Sequence, residues 1–119
     1  MRVLAVDDSP TIREMVAETL KSADYEVLEA ENGLEALELL REQHVDLIIS
    51  DLNMSVMDGF EFVTKVRENP NFEFTPILFL TTEASEDMKQ IGREIGATGW
   101  LLKPFDPMNL IKVVRRICH

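Results

Sequence analysis

Cysteine is nearly absent: Cys118 is the only one in 119 residues, so no disulfide can close within the chain, which fits a reducing compartment. The expected role of Cys118 is that of a small apolar residue in a last helical turn. Glycine and proline are also scarce, five of each, and no block of like charge interrupts the chain, which excludes a disordered or low-complexity protein. Long apolar runs are missing too. The longest, residues 3–6 and 77–80, fall far short of a membrane span or a signal-peptide core, so a cytoplasmic protein is expected. Basic residues are outnumbered 12 to 22, giving a formal charge of −10 that disfavours nucleic acid and anionic membranes as direct partners.

What is present is an ordinary globular composition, 45% hydrophobic and 29% charged, in a length that suits one domain over residues 1–119 with no room for a second folded module. Short apolar runs at 3–6, 27–28, 47–49, 77–80 and 100–102 alternate with segments of helical period. That alternation predicts an α/β fold, and runs that are continuously apolar read as parallel strands buried on both faces. The helical stripes are Ile12, Met15, Val16 and Leu20; Leu34, Leu37 and Leu40; Phe62, Val63 and Val66; Met88, Ile91 and Ile95; and Leu110, Val113, Val114 and Ile117. Their methionines and phenylalanines read as core. Ser9, Asn32 and Asp106 are expected N-caps, the first and last followed by proline, and Gly96 is the expected stop of the fourth helix.

In a parallel sheet the loops at the carboxyl ends of the strands form the ligand crevice. Asp7 and Asp8 follow the first predicted strand, Asp51 the third and Lys103 the fifth, while Thr81 ends the fourth. A lone acid at a strand end can simply favour a helix amino terminus. The five positions together make a polar site on an apolar scaffold. Confined carboxylates repel one another unless a cation sits among them, and oxygen donors without His or Cys point to Mg²⁺ rather than zinc. Such a cation and the Lys103 ammonium would neutralise a transferring phosphoryl group, and a carboxylate there can act as nucleophile to form an acyl phosphate.

The residues that carry this chemistry resemble those of response-regulator receiver domains along nearly the whole chain. The likeness runs through Val-Asp-Asp-Ser at 6–9, Asp51-Leu-Asn-Met, Met57-Asp58-Gly59, Leu-Thr-Thr-Glu-Ala at 80–84 and Lys103-Pro104-Phe105. Within the family it is strongest to single-domain chemotaxis regulators, in residues 51–54 and in Gly96-Ala97-Thr98-Gly99-Trp100 running on to Pro107. The resemblance implies a doubly wound, flavodoxin-like five-stranded parallel sheet of order 2-1-3-4-5 flanked by five helices. It implies Asp51 as phosphoacceptor, and Asp7, Asp8, Asp51 and the backbone carbonyl of Asn53 as ligands of one Mg²⁺. Lys103 resembles the phosphate-contacting lysine, joined to Pro104 by a cis bond, and Gly59 the turn glycine after the acceptor loop. Thr81 and Trp100 take the switch positions, and Asn53 and Glu83 the positions that tune acyl-phosphate lifetime. Output is expected on the face of the fourth helix, fifth strand and fifth helix.

The partners so implied are a CheA-like sensor histidine kinase and a FliM-like flagellar motor switch protein or another output protein. The chain is expected to be a monomer that catalyses its own phosphorylation and dephosphorylation without being a turnover enzyme. Other readings within signalling are a phosphorelay intermediate, which passes phosphate to a histidine phosphotransfer protein, and a receiver cut from a longer regulator. Three residues depart from the family pattern: Ser55 where proline is common, Thr82 where alanine or glycine is commoner, and Trp100 in place of tyrosine or phenylalanine. Other classes on related scaffolds fit less well. A flavodoxin-type binder needs a glycine-rich first loop that is missing. A haloacid-type phosphatase needs an acid where Asn53 stands. Neither His44 nor His119 belongs to the strand-end cluster, so a Ser-His-Asp triad is set aside and both histidines are expected at the surface.

Overall fold

The computed structural model describes residues 1–118. Strands β1 (Arg2–Val6), β2 (Glu26–Ala30), β3 (Leu47–Ser50), β4 (Ile77–Thr81) and β5 (Gly99–Leu102) alternate with helices α1 (Pro10–Ser22), α2 (Gly33–Glu42), α3 (Gly59–Arg67), α4 (Glu86–Glu94) and α5 (Pro107–Ile117). All strand pairs are parallel and the order is β2-β1-β3-β4-β5, as expected. Among the described residues no helix is long and apolar enough to cross a membrane.

Alternate side chains along each central strand enter separate cores, which is what a doubly wound sheet requires. Leu4, Val6, Ile48, Ile77 and Phe79 pack with Ala36, Leu40, Phe62, Val63 and Val66 of α2 and α3. Val3, Ala5, Leu47, Ile49, Leu78 and Leu80 pack with Val16, Leu20, Leu110 and Val114 of α1 and α5. Burial on both faces holds for β1, β3 and β4 but not for β2 and β5, whose edge positions leave them partly exposed. The reason is positional, since an edge strand has a neighbour on one side only.

Three stripe residues face outward instead of into the core: Met15, Leu34 and Ile91 are each more than two-fifths exposed. Small residues take buried places near them, Ala17 beside Val16 in α1, Gly33 and Ala36 in α2, and Gly92 in α4. At Gly33 and Gly92 a Cβ would stand 2.9 Å from Met57 Sδ and 3.0 Å from Trp100 Cζ3, so the larger neighbours Leu34 and Ile91 lie on the outer side of those contacts. The caps are as read. Ser9, Asn32 and Asp106 accept the N–H groups of Ile12, Glu35 and Asn109. Gly96, at φ 101°, closes α4 with hydrogen bonds from its own N–H to Arg93 and from Ala97 to Gly92, a Schellman ending. Cys118 is half-buried as the C-cap of α5, one residue past the last turn. His44 is exposed beside Asp46, whereas His119 lies outside the described residues.

Candidate functional site

Because every strand runs the same way, the ends of β1, β3, β4 and β5 deliver their next residues to one edge. The connection from β1 to β2 leaves on one side, and β3 returns on the other. The crevice at this reversal lies between the ends of β1 and β3, where Asp7, Asp8 and Asp51 emerge. One oxygen of each of these acids lies within 4.8 Å of the others.

Asp7 and Asp51 are buried, while Asp8 is exposed at the mouth. Asp7 accepts the Ser9 N–H at 2.9 Å and the Lys103 ammonium at 2.8 Å. Lys103 also stands 3.4 Å from Asp51 Oδ1, which accepts the Leu52 N–H at 2.8 Å. The bond from Lys103 to Pro104 is cis. Among the described residues no protein group donates to the second oxygen of Asp51, Oδ2. Burial raises the Asp51 carboxyl above the ordinary carboxylate range and the Asp7 charge adds to this, while Lys103 and the Leu52 N–H pull the other way. One ammonium among three acids leaves the cluster short of positive charge. The donors are all oxygens, and their convergence fits a hard divalent cation.

Thr81 is fully buried at the end of β4, and its Oγ1 accepts the Glu83 N–H at 3.2 Å. The carbonyl of the same Glu83 accepts the Trp100 indole N–H at 2.7 Å. Residue 83 therefore joins Thr81 to Trp100 through its backbone, while its side chain points to solvent. The Trp100 ring packs edge-on against Phe79, with centroids 5.3 Å apart. Room for the large ring comes from α4, where a Cβ on Gly92 would stand 3.0 Å from Trp100 Cζ3.

Asn53 is exposed in the loop after β3, two residues beyond Asp51. Gly59 does not serve as a turn glycine. It is the first residue of α3, and a Cβ there would lie 2.6 Å from the Asp51 carbonyl oxygen and 2.9 Å from Leu52 Cα, so its role is close approach to the loop after β3. The left-handed residue of that loop is Val56, at φ 74°. Ser55, lacking the proline ring, has an N–H that lies 3.4 Å from Asp8 Oδ2. Gly92 and Val56 went unmarked in the sequence reading, as did Arg13, which reaches the Asp7 carbonyl. A glycine in the middle of a helix was the available signal for Gly92; the other two had none.

A family model described as the response regulator receiver domain matches residues 3–115. The chain belongs to that family. The chemotaxis protein CheY4 of Vibrio cholerae, in a structure crystallised at low pH, is 55% identical with a TM-score of 0.95, over 98% of this chain and 97% of that one. A chemotaxis protein CheY homolog of Campylobacter jejuni is 39% identical over 112 residues, covering 92% of this chain and 86% of the relative. The receiver domain of the sensor histidine kinase PA1611 of Pseudomonas aeruginosa is 27% identical with a TM-score of 0.88, over 97% of this chain and 94% of that one. Its structure has a magnesium ion coordinated in the active site cleft.

Proposed function

We propose that this chain is a cytoplasmic chemotaxis response regulator that accepts a phosphoryl group on Asp51 from a CheA-like sensor histidine kinase. The observation that carries the reading is the convergence of Asp7, Asp8 and Asp51 on one strand edge, with Lys103 bridging two of them. In the transfer, Asp51 Oδ2 attacks phosphorus as the P–N bond of a phosphohistidine breaks and its electron pair returns to the imidazole. Asp7, Asp8, Asp51 and the Asn53 carbonyl would hold one Mg²⁺, which neutralises phosphoryl oxygen charge when bound. Lys103 holds Asp7 and Asp51 in place beforehand and turns to phosphoryl oxygen afterwards. The balance of charge and water access that permits attack also permits hydrolysis, so the chain dephosphorylates itself and is not a turnover enzyme.

The response would begin at Thr81. If its hydroxyl moves to the phosphoryl group, the Glu83 N–H loses its acceptor, and the Trp100 indole bonded to the Glu83 carbonyl is released with the loop. The altered α4-β5-α5 face then binds a FliM-like flagellar motor switch protein or another output protein. Asn53 and Glu83 tune how long the acyl phosphate lasts. The acidic charge of −10 supports a diffusible monomer without nucleic acid or membrane partners.

Labelling with a small acyl-phosphate donor and Mg²⁺ tests the reading. Wild type is expected to label, and Asp51→Asn or excess chelator to abolish labelling. Lys103→Ala is expected to label while losing most of the Trp100 fluorescence change. Label that survives Asp51→Asn would remove Asp51 from the role. The phosphorelay reading and that of a receiver within a longer regulator are supported by the Pseudomonas relative, which is itself a kinase receiver domain. Return of label to a purified histidine phosphotransfer protein would favour the relay.

A further inference from the structure

Arg13 lies in the second turn of α1 and makes two contacts with its guanidinium. Nη1 donates to the backbone carbonyl of Asp7 at 2.7 Å, and Nε stands 3.4 Å from Glu29 Oε1 on β2. The side chain is 18% exposed and lines the same small cavity as Asp7 and Asp51. The Asp7 carbonyl belongs to the peptide unit that joins Asp7 to Asp8. Pinning its oxygen fixes the plane of that unit, and hence the direction in which Asp8 leaves the chain.

Asp7 is otherwise well held. Its N–H donates to the Ala30 carbonyl at 3.2 Å, and its carboxylate is fixed by Ser9 and Lys103. The Asp8 side chain is exposed and, among the described residues, accepts only the Ser55 N–H, at 3.4 Å. Its backbone is held on both sides, by the Ser9 N–H bonded to Asp7 on the carboxyl side and by the Arg13 contact to the 7–8 peptide on the amino side. We infer that Arg13, steadied by Glu29, is a positioning residue for the cation site, setting the aim of Asp8 through the 7–8 peptide. The inference rests on the reading of the acid cluster as a Mg²⁺ site.

A purely electrostatic role predicts the opposite sign from a positioning role. As a nearby positive charge Arg13 repels a divalent cation, so its loss by that route alone would tighten Mg²⁺ binding. As a support it holds a ligand in place, and supports of this kind are typically worth about 10–100-fold in metal affinity.

Calorimetric titration of the full chain with Mg²⁺ at fixed ionic strength separates the two. Arg13→Met is expected to weaken binding about tenfold. Arg13→Lys, which can reach the Asp7 carbonyl or Glu29 but not both, is expected to fall between Arg13→Met and wild type. Equal or tighter binding by a folded Arg13→Met overturns the inference while leaving the cation site standing. A wild type that takes up no Mg²⁺ overturns both. If circular dichroism shows Arg13→Met unfolded, Arg13→Lys decides: several-fold weaker binding supports positioning, and wild-type affinity ends it.

Discussion

The backbone at Val56 is the least expected feature of the loop between β3 and α3. Asp24 also has a positive φ, of 70°, but a short polar side chain tolerates the left-handed region and a β-branched one does not. The Met57 N–H donates to the Ser55 carbonyl at 2.8 Å, closing a three-residue turn around Val56. Its side chain is 70% exposed and recovers nothing by burial, whereas Met54 and Met57 on either side are buried and hold the turn in place. Strain of this kind costs about 1–3 kcal/mol, and glycine would return about 0.5–1 kcal/mol as added freedom of the unfolded chain. Val56→Gly should therefore stabilise the fold by about 1 kcal/mol, seen as a higher urea midpoint at unchanged slope. A lower midpoint would mean that valine is at ease in this turn.

At the scale of elements, α4 and β5 meet where the smallest residue of the helix faces the largest ring of the strand. Alanine in place of a helical glycine normally gains about 1 kcal/mol. Here the added methyl would crowd a ring that is hydrogen-bonded to Glu83 and wedged against Phe79, so Gly92→Ala should gain nothing and should shift Trp100 emission. In a Trp100→Phe background the same change should recover the helix gain. Equal effects in both backgrounds would show that ring and glycine are not coupled. This pairing also marks where the sequence stopped being readable. Strand ends were legible because Asp7, Asp51 and Lys103 break apolar runs, and caps because Ser9, Asn32 and Asp106 act within three residues of themselves. The helix stripes were only partly legible: apolar size singled out Met15, Leu34 and Ile91, which are exposed, and passed over the small buried residues Ala17, Gly33, Ala36 and Gly92. Arg13 could not be read because its partners sit on other elements, and Val56 because a dihedral angle leaves no trace in residue type.

For the molecule as a whole, the buried Asp51 carboxylate opposes the stability of the fold that carries it. Burial and the neighbouring Asp7 raise the folded-state Asp51 carboxyl above its unfolded value, despite Lys103 and the Leu52 N–H. With that sign the unfolded chain gives up the proton more readily, so Asp51 subtracts stability at pH values above its folded-state range. Below the unfolded range the group is neutral in both states and the penalty vanishes. Asp51→Asn should accordingly melt at a higher temperature than wild type at pH 7 in chelator, and the difference should shrink as pH falls through the carboxylate range. Mg²⁺ should act in the opposite sense on the comparison. If Mg²⁺ binds the folded state at the proposed site, it should raise the wild-type melting temperature, and the variant, lacking the Asp51 carboxylate, should respond less, so that the two curves approach each other. A variant no more stable than wild type at pH 7 without metal would show that Lys103 already compensates the buried charge, and the need for a divalent cation at this edge would lose its physical basis.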